Sequence, residues 1–123
     1  SSFSRLDHGE GYVDHHVLLV REHERAGLHH ISFEVADTDD LFMGHAHLRS
    51  LKRYEHMQGI SRVAIGGQMT DFWLDPWNRM HEHWSDIDRL NAANGSRLID
   101  ATTEVSGTWG EPGSQRFLQH CSP

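Results

Sequence analysis

The 123-residue chain carries 37% hydrophobic and 24% charged residues, which fits one globular domain and excludes wholesale disorder. Its formal net charge of −7 argues against a nucleic-acid-binding surface, and its longest apolar run, residues 17–20, is the length of a strand rather than of a membrane span. The opening residues SSFSR lack the charged-then-apolar pattern of a signal peptide, and the single cysteine, Cys121, cannot form an internal disulfide, so a reducing, cytoplasmic setting is expected.

Residues 12–20 (YVDHHVLLV) read as a strand, closed by polar residues 21–25 and Gly27. Residues 29–35 (HHISFEV) alternate cleanly, with Ile31, Phe33 and Val35 on one face and His30, Ser32 and Glu34 on the other. Residues 37–50 predict a helix: Asp37 can cap it, Asp39 and Asp40 suit its positive end, and Leu41, Ala46 and Leu48 supply a core stripe. Three strands follow, at 53–57, 68–74 and 79–84, the last two separated by the turn residues Asp75-Pro76-Trp77-Asn78. Residues 88–93 read as one further helical turn. The glycines and proline from Gly95 onward predict a mostly irregular tail laid over the domain. The order is β, then β-α-β-β-β, then tail, an α+β fold.

The 12 histidines outnumber the 11 lysines and arginines, and they are dispersed from His8 to His120 rather than gathered as a tag. Imidazole is the commonest metal ligand, so the composition leans toward metal chemistry. Adjacent strand residues face opposite ways, so only one of His29 and His30 can serve a given site; His30 shares its face with Ser32 and Glu34. By the same rule either Glu82 faces the site, or His81 and His83 do, and periodicity leaves these at even odds. His45 and His47 do not share a helix face and read as surface residues. No HExxH, CxxC, glycine-rich phosphate loop or nucleophile elbow occurs. Trp73, Trp77, Trp84 and Trp109 can line an aromatic pocket, although core and cover positions suit most of them better. A histidine and a carboxylate from separate strands, joined by a second histidine, is the ligand set of non-heme Fe(II) oxygenases, and it also suits Mn(II) or Zn(II).

The run Gly27-Leu28-His29-His30-Ile31-Ser32-Phe33-Glu34-Val35, followed after a helix by Asp71-Phe72-Trp73-Leu74-Asp75-Pro76-Trp77-Asn78-Arg79-Met80-His81-Glu82, resembles the carboxyl-terminal half of the type I extradiol ring-cleavage dioxygenases. These are the catechol 2,3-dioxygenase and dihydroxybiphenyl dioxygenase enzymes of the vicinal oxygen chelate superfamily, and the resemblance covers residues 12–84. It implies Fe(II) held by His30, the second histidine of an L-H-H-V-x-F strand, and by Glu82, the carboxylate closing a D-P-x-x-x-x-x-E strand, which resolves the tie against His81 and His83. It implies His15 as a second-sphere acid/base. Two substrate-side positions depart from the family: Val63 stands in Arg62-Val63-Ala64 where a histidine is expected, and Phe72 stands where a tyrosine is expected.

The resemblance further implies a βαβββ metal-binding module over residues 27–94, preceded by the end of an amino-terminal sister module in residues 1–26 and followed by a tail in 95–123. The family's first iron histidine lies on the opening strand of that sister module, and the sequence around His8 does not match it. An upstream module or a second chain of a homo-oligomer is therefore expected to complete the ligand set; failing that, His8, His16 and His81 are the first alternatives. The implied activity is extradiol cleavage of an aromatic diol by dioxygen, with no nucleic-acid or membrane partner. The alternatives are a metal-dependent isomerase or lyase of the same superfamily, using Zn(II), Mn(II) or Ni(II), and a non-catalytic binding module like the bleomycin-resistance proteins.

Overall fold

The computed structural model describes residues 1–100, 102, 107–111 and 113–122. Its centre is a five-stranded sheet of order β4-β7-β6-β5-β9. The strands are β4 (Ile31–Glu34), β5 (Glu55–Val63), β6 (Met69–Leu74), β7 (Met80–Ser85) and β9 (Gly107–Gly110). One helix, α1 (Thr38–Leu51), joins β4 to β5 and lies against β5, β6 and β7. β4 runs parallel to β7, while β5, β6 and β7 form an antiparallel meander. This is the expected βαβββ order. Parallel pairing of the first and last strands of the unit demands a long crossover, and α1 with the β5–β6 hairpin supplies it.

Helix α1 begins where the sequence places it. The Asp37 side chain accepts from the backbone N–H of Asp40 at 2.9 Å, Asp39 and Asp40 occupy the first turn, and Lys52 ends the helix in the left-handed region. The inward stripe differs from the expected one in a single place: Leu41 is fully buried and Leu48 half-buried, but Ala46 is exposed. His45, not Ala46, turns inward, because a buried acceptor waits for it on β6.

Every residue of β6 is buried, since α1 covers one face of the central sheet and the chain's own tail covers part of the other. Phe72 and Leu74 with Met57 and Met80 form the core cluster, and Phe117 packs onto it from α2 (Gln115–Leu118). Burying a side chain such as Phe72 contributes roughly 1.5–3 kcal/mol.

Outside this unit the structure departs from the expected elements. Residues 12–20 are not one strand: β2 (Val13–Asp14) and β3 (Leu18–Val20) lie in separate two-stranded pairings, with the two histidines at the break between them. β3 pairs with β1 (Ser2–Ser4), and β2 pairs with β8 (Arg89–Leu90), so 88–93 holds a strand instead of a helical turn. The tail is less irregular than its glycines suggest. β9 hydrogen-bonds to β5 at the sheet edge, α2 packs on the core, and Ser122 bridges to Leu28. Tail residues 101, 103–106, 112 and 123 lie outside the described residues.

Candidate metal centre

Register decides which side chains meet. Ser32 on β4 stands opposite Glu82 on β7, and Glu82 stands opposite Phe72 on β6, so these three share one face, which His30 joins at the start of β4. His81 and His83 point to the other face with Phe33, whose ring stacks on His81 with centroids 6.0 Å apart. His30 and Glu82 thus come together, with Nε2 and Oε2 at 3.3 Å. Glu82 is 4% exposed, and the Ser32 hydroxyl donates to the same Oε2. His30 rests edge-on against Phe72, ring centroids 5.2 Å apart, and Phe72 meets Phe117 at 4.7 Å. The floor is apolar, which strengthens electrostatic interactions above it.

The tautomer of His30 follows from its neighbour. Burial, assisted by the adjacent His30 ring, pushes the His29 imidazole pKa down to about 4, so it is neutral near pH 7 and holds one proton. That proton sits on Nε2, which lies 2.9 Å from the carbonyl oxygen of Phe117 and donates to it. His29 Nδ1 is then an acceptor, and at 2.6 Å it takes the N–H of His30 Nδ1. A neutral His30 consequently bears its lone pair on Nε2, the atom that faces Glu82. A hydrogen bond on the far ring nitrogen, here between Nδ1 of His30 and His29, is the usual support of a metal-bound histidine.

The remaining candidates are distributed less simply. His15 donates its backbone N–H to the Asp88 carbonyl, and its Nδ1 lies 3.0 Å from Nδ1 of His16. Burial lowers the pKa of both rings, but only on His16 do the charges of Glu82 and His30 act appreciably. The His16 ring stands edge-on to Phe3, ring centroids 5.0 Å apart. It also packs on the β5–β6 turn, where Gly66 has φ +85 and a Cβ would come within 3.1 Å of the His16 ring. Val63 closes β5, donating its N–H to the Gln68 carbonyl, and is half-buried near that same turn. Of the tryptophans, Trp73 is buried on the opposite face and Trp77 is 73% exposed, so they form no common pocket.

One cluster escaped the sequence reading. His45, treated there as a surface residue, brings Nδ1 to 3.1 Å from Asp71 Oδ1, and His56 Nε2 reaches the same oxygen at 2.9 Å. Its signal is three-dimensional: the partners come from α1, β5 and β6.

No family model matches the chain. It is 28% identical over 108 residues to metapyrocatechase 2 from Cupriavidus necator, covering 87% of this chain and 33% of that protein. The chain thus spans about a third of the length of this relative. Among solved structures, the Mn(II)-bound glyoxalase from Novosphingobium aromaticivorans superposes with a TM-score of 0.57 at 17% identity, over 72% of this chain and 30% of that one. A variant of homoprotocatechuate 2,3-dioxygenase from B. fuscum gives a TM-score of 0.44 at 23% identity, over 51% and 18%. The likeness carried by the L-H-H and D-P motifs therefore extends along most of the chain, and the sheet has the fold of a glyoxalase.

Proposed function

We propose that this chain, similar along most of its length to an extradiol dioxygenase and folded as a vicinal oxygen chelate module, is the metal-bearing part of an enzyme that opens a catechol-type aromatic ring with dioxygen. The observation behind this reading is the pair of facing donor atoms, His30 Nε2 and Glu82 Oε2, 3.3 Å apart on the floor made by Phe72. One neutral imidazole and one carboxylate fit Fe(II), and Mn(II) equally. Such an ion supplies Lewis acidity toward the diol oxygens and an electronic path between diol and dioxygen.

The chain's own residues have separable roles. His30 and Glu82 hold the metal; His29 fixes the His30 tautomer and Ser32 orients the carboxylate. A third protein ligand comes from outside residues 27–94. It is either His16, on whose ring the charges of Glu82 and His30 act, or the opening-strand histidine of a sister module contributed by the same or a second chain. His15, joined to His16, accepts a proton from a diol hydroxyl, a contribution of about 10²–10⁴ in rate. Phe72 and Val63 bound the ring side of the substrate with apolar surface where the family offers a phenol and an imidazole, which favours a more apolar aromatic diol.

Anaerobic loading with Fe(II) followed by elemental analysis tests the ligands. His30→Ala or Glu82→Gln is expected to lower iron affinity by roughly 100-fold or more, beyond the effect of losing a supporting group, while His29→Ala retains more metal than either. Equal iron in all three variants overturns the assignment. Catechol and air added to the loaded protein should then give a yellow ring-cleavage product; metal binding without it would favour an isomerase or lyase of the same fold, and no metal binding would favour a binding module.

A further inference from the structure

On the face of β6 turned away from His30 and Glu82, three ligand atoms converge: His45 Nδ1 from α1, His56 Nε2 from β5 and Asp71 Oδ1 from β6. All lie within 4.8 Å of one another. Asp71 is 0% exposed, and its second oxygen, Oδ2, accepts the indole N–H of Trp73 at 2.5 Å. The two imidazoles retain 18% and 27% side-chain exposure, so the cluster opens toward solvent on the histidine side only.

We propose that His45, His56 and Asp71 form a second divalent-cation site, suited to Zn(II), that ties helix α1 to the β5–β6 hairpin. The proposal does not depend on the chemistry at His30 and Glu82. Two imidazoles and one carboxylate, with a water in the open fourth position, are a common zinc donor set. With metal–ligand bonds of roughly 2.0–2.2 Å, neighbouring tetrahedral ligands lie about 3.3 Å apart. The contacts to Oδ1, at 3.1 and 2.9 Å, need to open by only a few tenths of an ångström. The Trp73 N–H on the far oxygen is an outer-shell contact of the kind that orients ligating carboxylates.

Without a cation the same atoms form a hydrogen-bonded cluster in which both rings donate to one oxygen of a buried carboxylate. That cluster sets both imidazoles on one oxygen of a carboxylate that is 0% exposed. Zn(II) entering from the exposed side exchanges the two N–H donors for two lone pairs, a change of tautomer on each ring. Helix and hairpin then share a metal in place of two weak hydrogen bonds.

The test uses Zn(II) alone, on the chain carrying Glu82→Gln, which cripples the other face. Competition against a colorimetric chelator should detect one equivalent of tightly bound Zn(II). Adding His56→Gln or His45→Gln should weaken it by at least about tenfold with an unchanged far-ultraviolet circular dichroism spectrum. Absence of Zn(II) binding in the Glu82→Gln chain, or full retention by both histidine variants, overturns the proposal. Should a histidine variant fail to fold, ring 15N shifts of the unsubstituted chain decide: Zn(II) must move the coordinated nitrogens of both His45 and His56, and unmoved resonances refute the site. Loss of iron at His30 in the earlier experiment leaves this outcome untouched, so the two assignments fail separately.

Discussion

Phe72 and Asp71 are neighbours on one strand, 4% and 0% exposed, yet the two faces they serve solve opposite problems. Phe72 belongs to an apolar floor with Phe117, Leu74 and Met57, above which His30 and Glu82 present two donors to each other. Asp71 belongs to a network in which each polar group has a partner: His45 and His56 on one oxygen, Trp73 on the other. The first face sets a histidine and a carboxylate on a hydrophobic base; the second buries a carboxylate and surrounds it with donors. A single strand can do both because its side chains alternate, so chemistry on one side leaves the other free to pack against α1.

The contrast is most severely tested at its apolar half. Phe72→Ala should destabilise the chain by about 3–5 kcal/mol, since the cavity it leaves is walled by rings and a core cluster that cannot collapse without moving α2. Chemical denaturation measures this, and a loss below about 1 kcal/mol would mean the floor is not packed as described. On the polar half, Asp71→Ala strands three donors and should cost about 1–3 kcal/mol, while Asp71→Asn, which keeps an acceptor, should cost less. Equal losses for the two would mean that the charge, and not the acceptor, holds the network together.

The smallest effect concerns Asp75, which follows β6 on the Asp71 side and is visible only in acid. Burial pushes its pKa up, but hydrogen bonds from the backbone and side chain of Arg79, from His81 and from the Trp77 backbone outweigh it, and the pKa falls from 3.8 to about 2. Between these values the unfolded chain binds the proton and the folded chain does not, so stability from Asp75 is complete above 3.8 and is lost as pH falls toward 2. Denaturant midpoints measured from pH 5 to pH 2 should decline over that interval, and Asp75→Asn should flatten the decline. An unchanged slope would show that the turn is held by its backbone bonds, including the Asp75 N–H to the Arg79 carbonyl.

Much of the central unit was legible because its signals are local. Alternation placed Ile31 and Phe33 opposite His30 and Ser32, and the capping residue Asp37 fixed the start of α1. Turn chemistry at Asp75-Pro76 located the β6–β7 hairpin. What escaped depends on partners distant in sequence. Arg89–Leu90 is a strand only because Val13–Asp14 lies beside it, and nothing in residues 88–93 says so. Glycine-rich residues 107–110 became a strand because the edge of β5 offered unpaired backbone groups. His45 is the sharpest case: helical periodicity counted it as surface, whereas the carboxylate that draws it inward is 26 residues away. At the other centre periodicity alone could not choose between Glu82 and its flanking histidines. The motif resemblance chose, and the β4–β7 register sets Ser32 opposite Glu82.

The parallel pairing of β4 with β7 also joins distant stretches of the chain. His56 and Asp71 are 15 residues apart within one hairpin, a loop that closes early and cheaply. Ser32 and Glu82 are 50 residues apart, with the helix and both hairpins between them. Long-range contacts of this kind slow folding, because the entropy of the intervening chain must be surrendered before they return any stabilisation. The contact between Ser32 and Glu82 is therefore the costlier of the two in chain entropy. A partly unfolded chain holds His30 and Glu82 apart, and only the folded sheet brings their facing atoms to 3.3 Å.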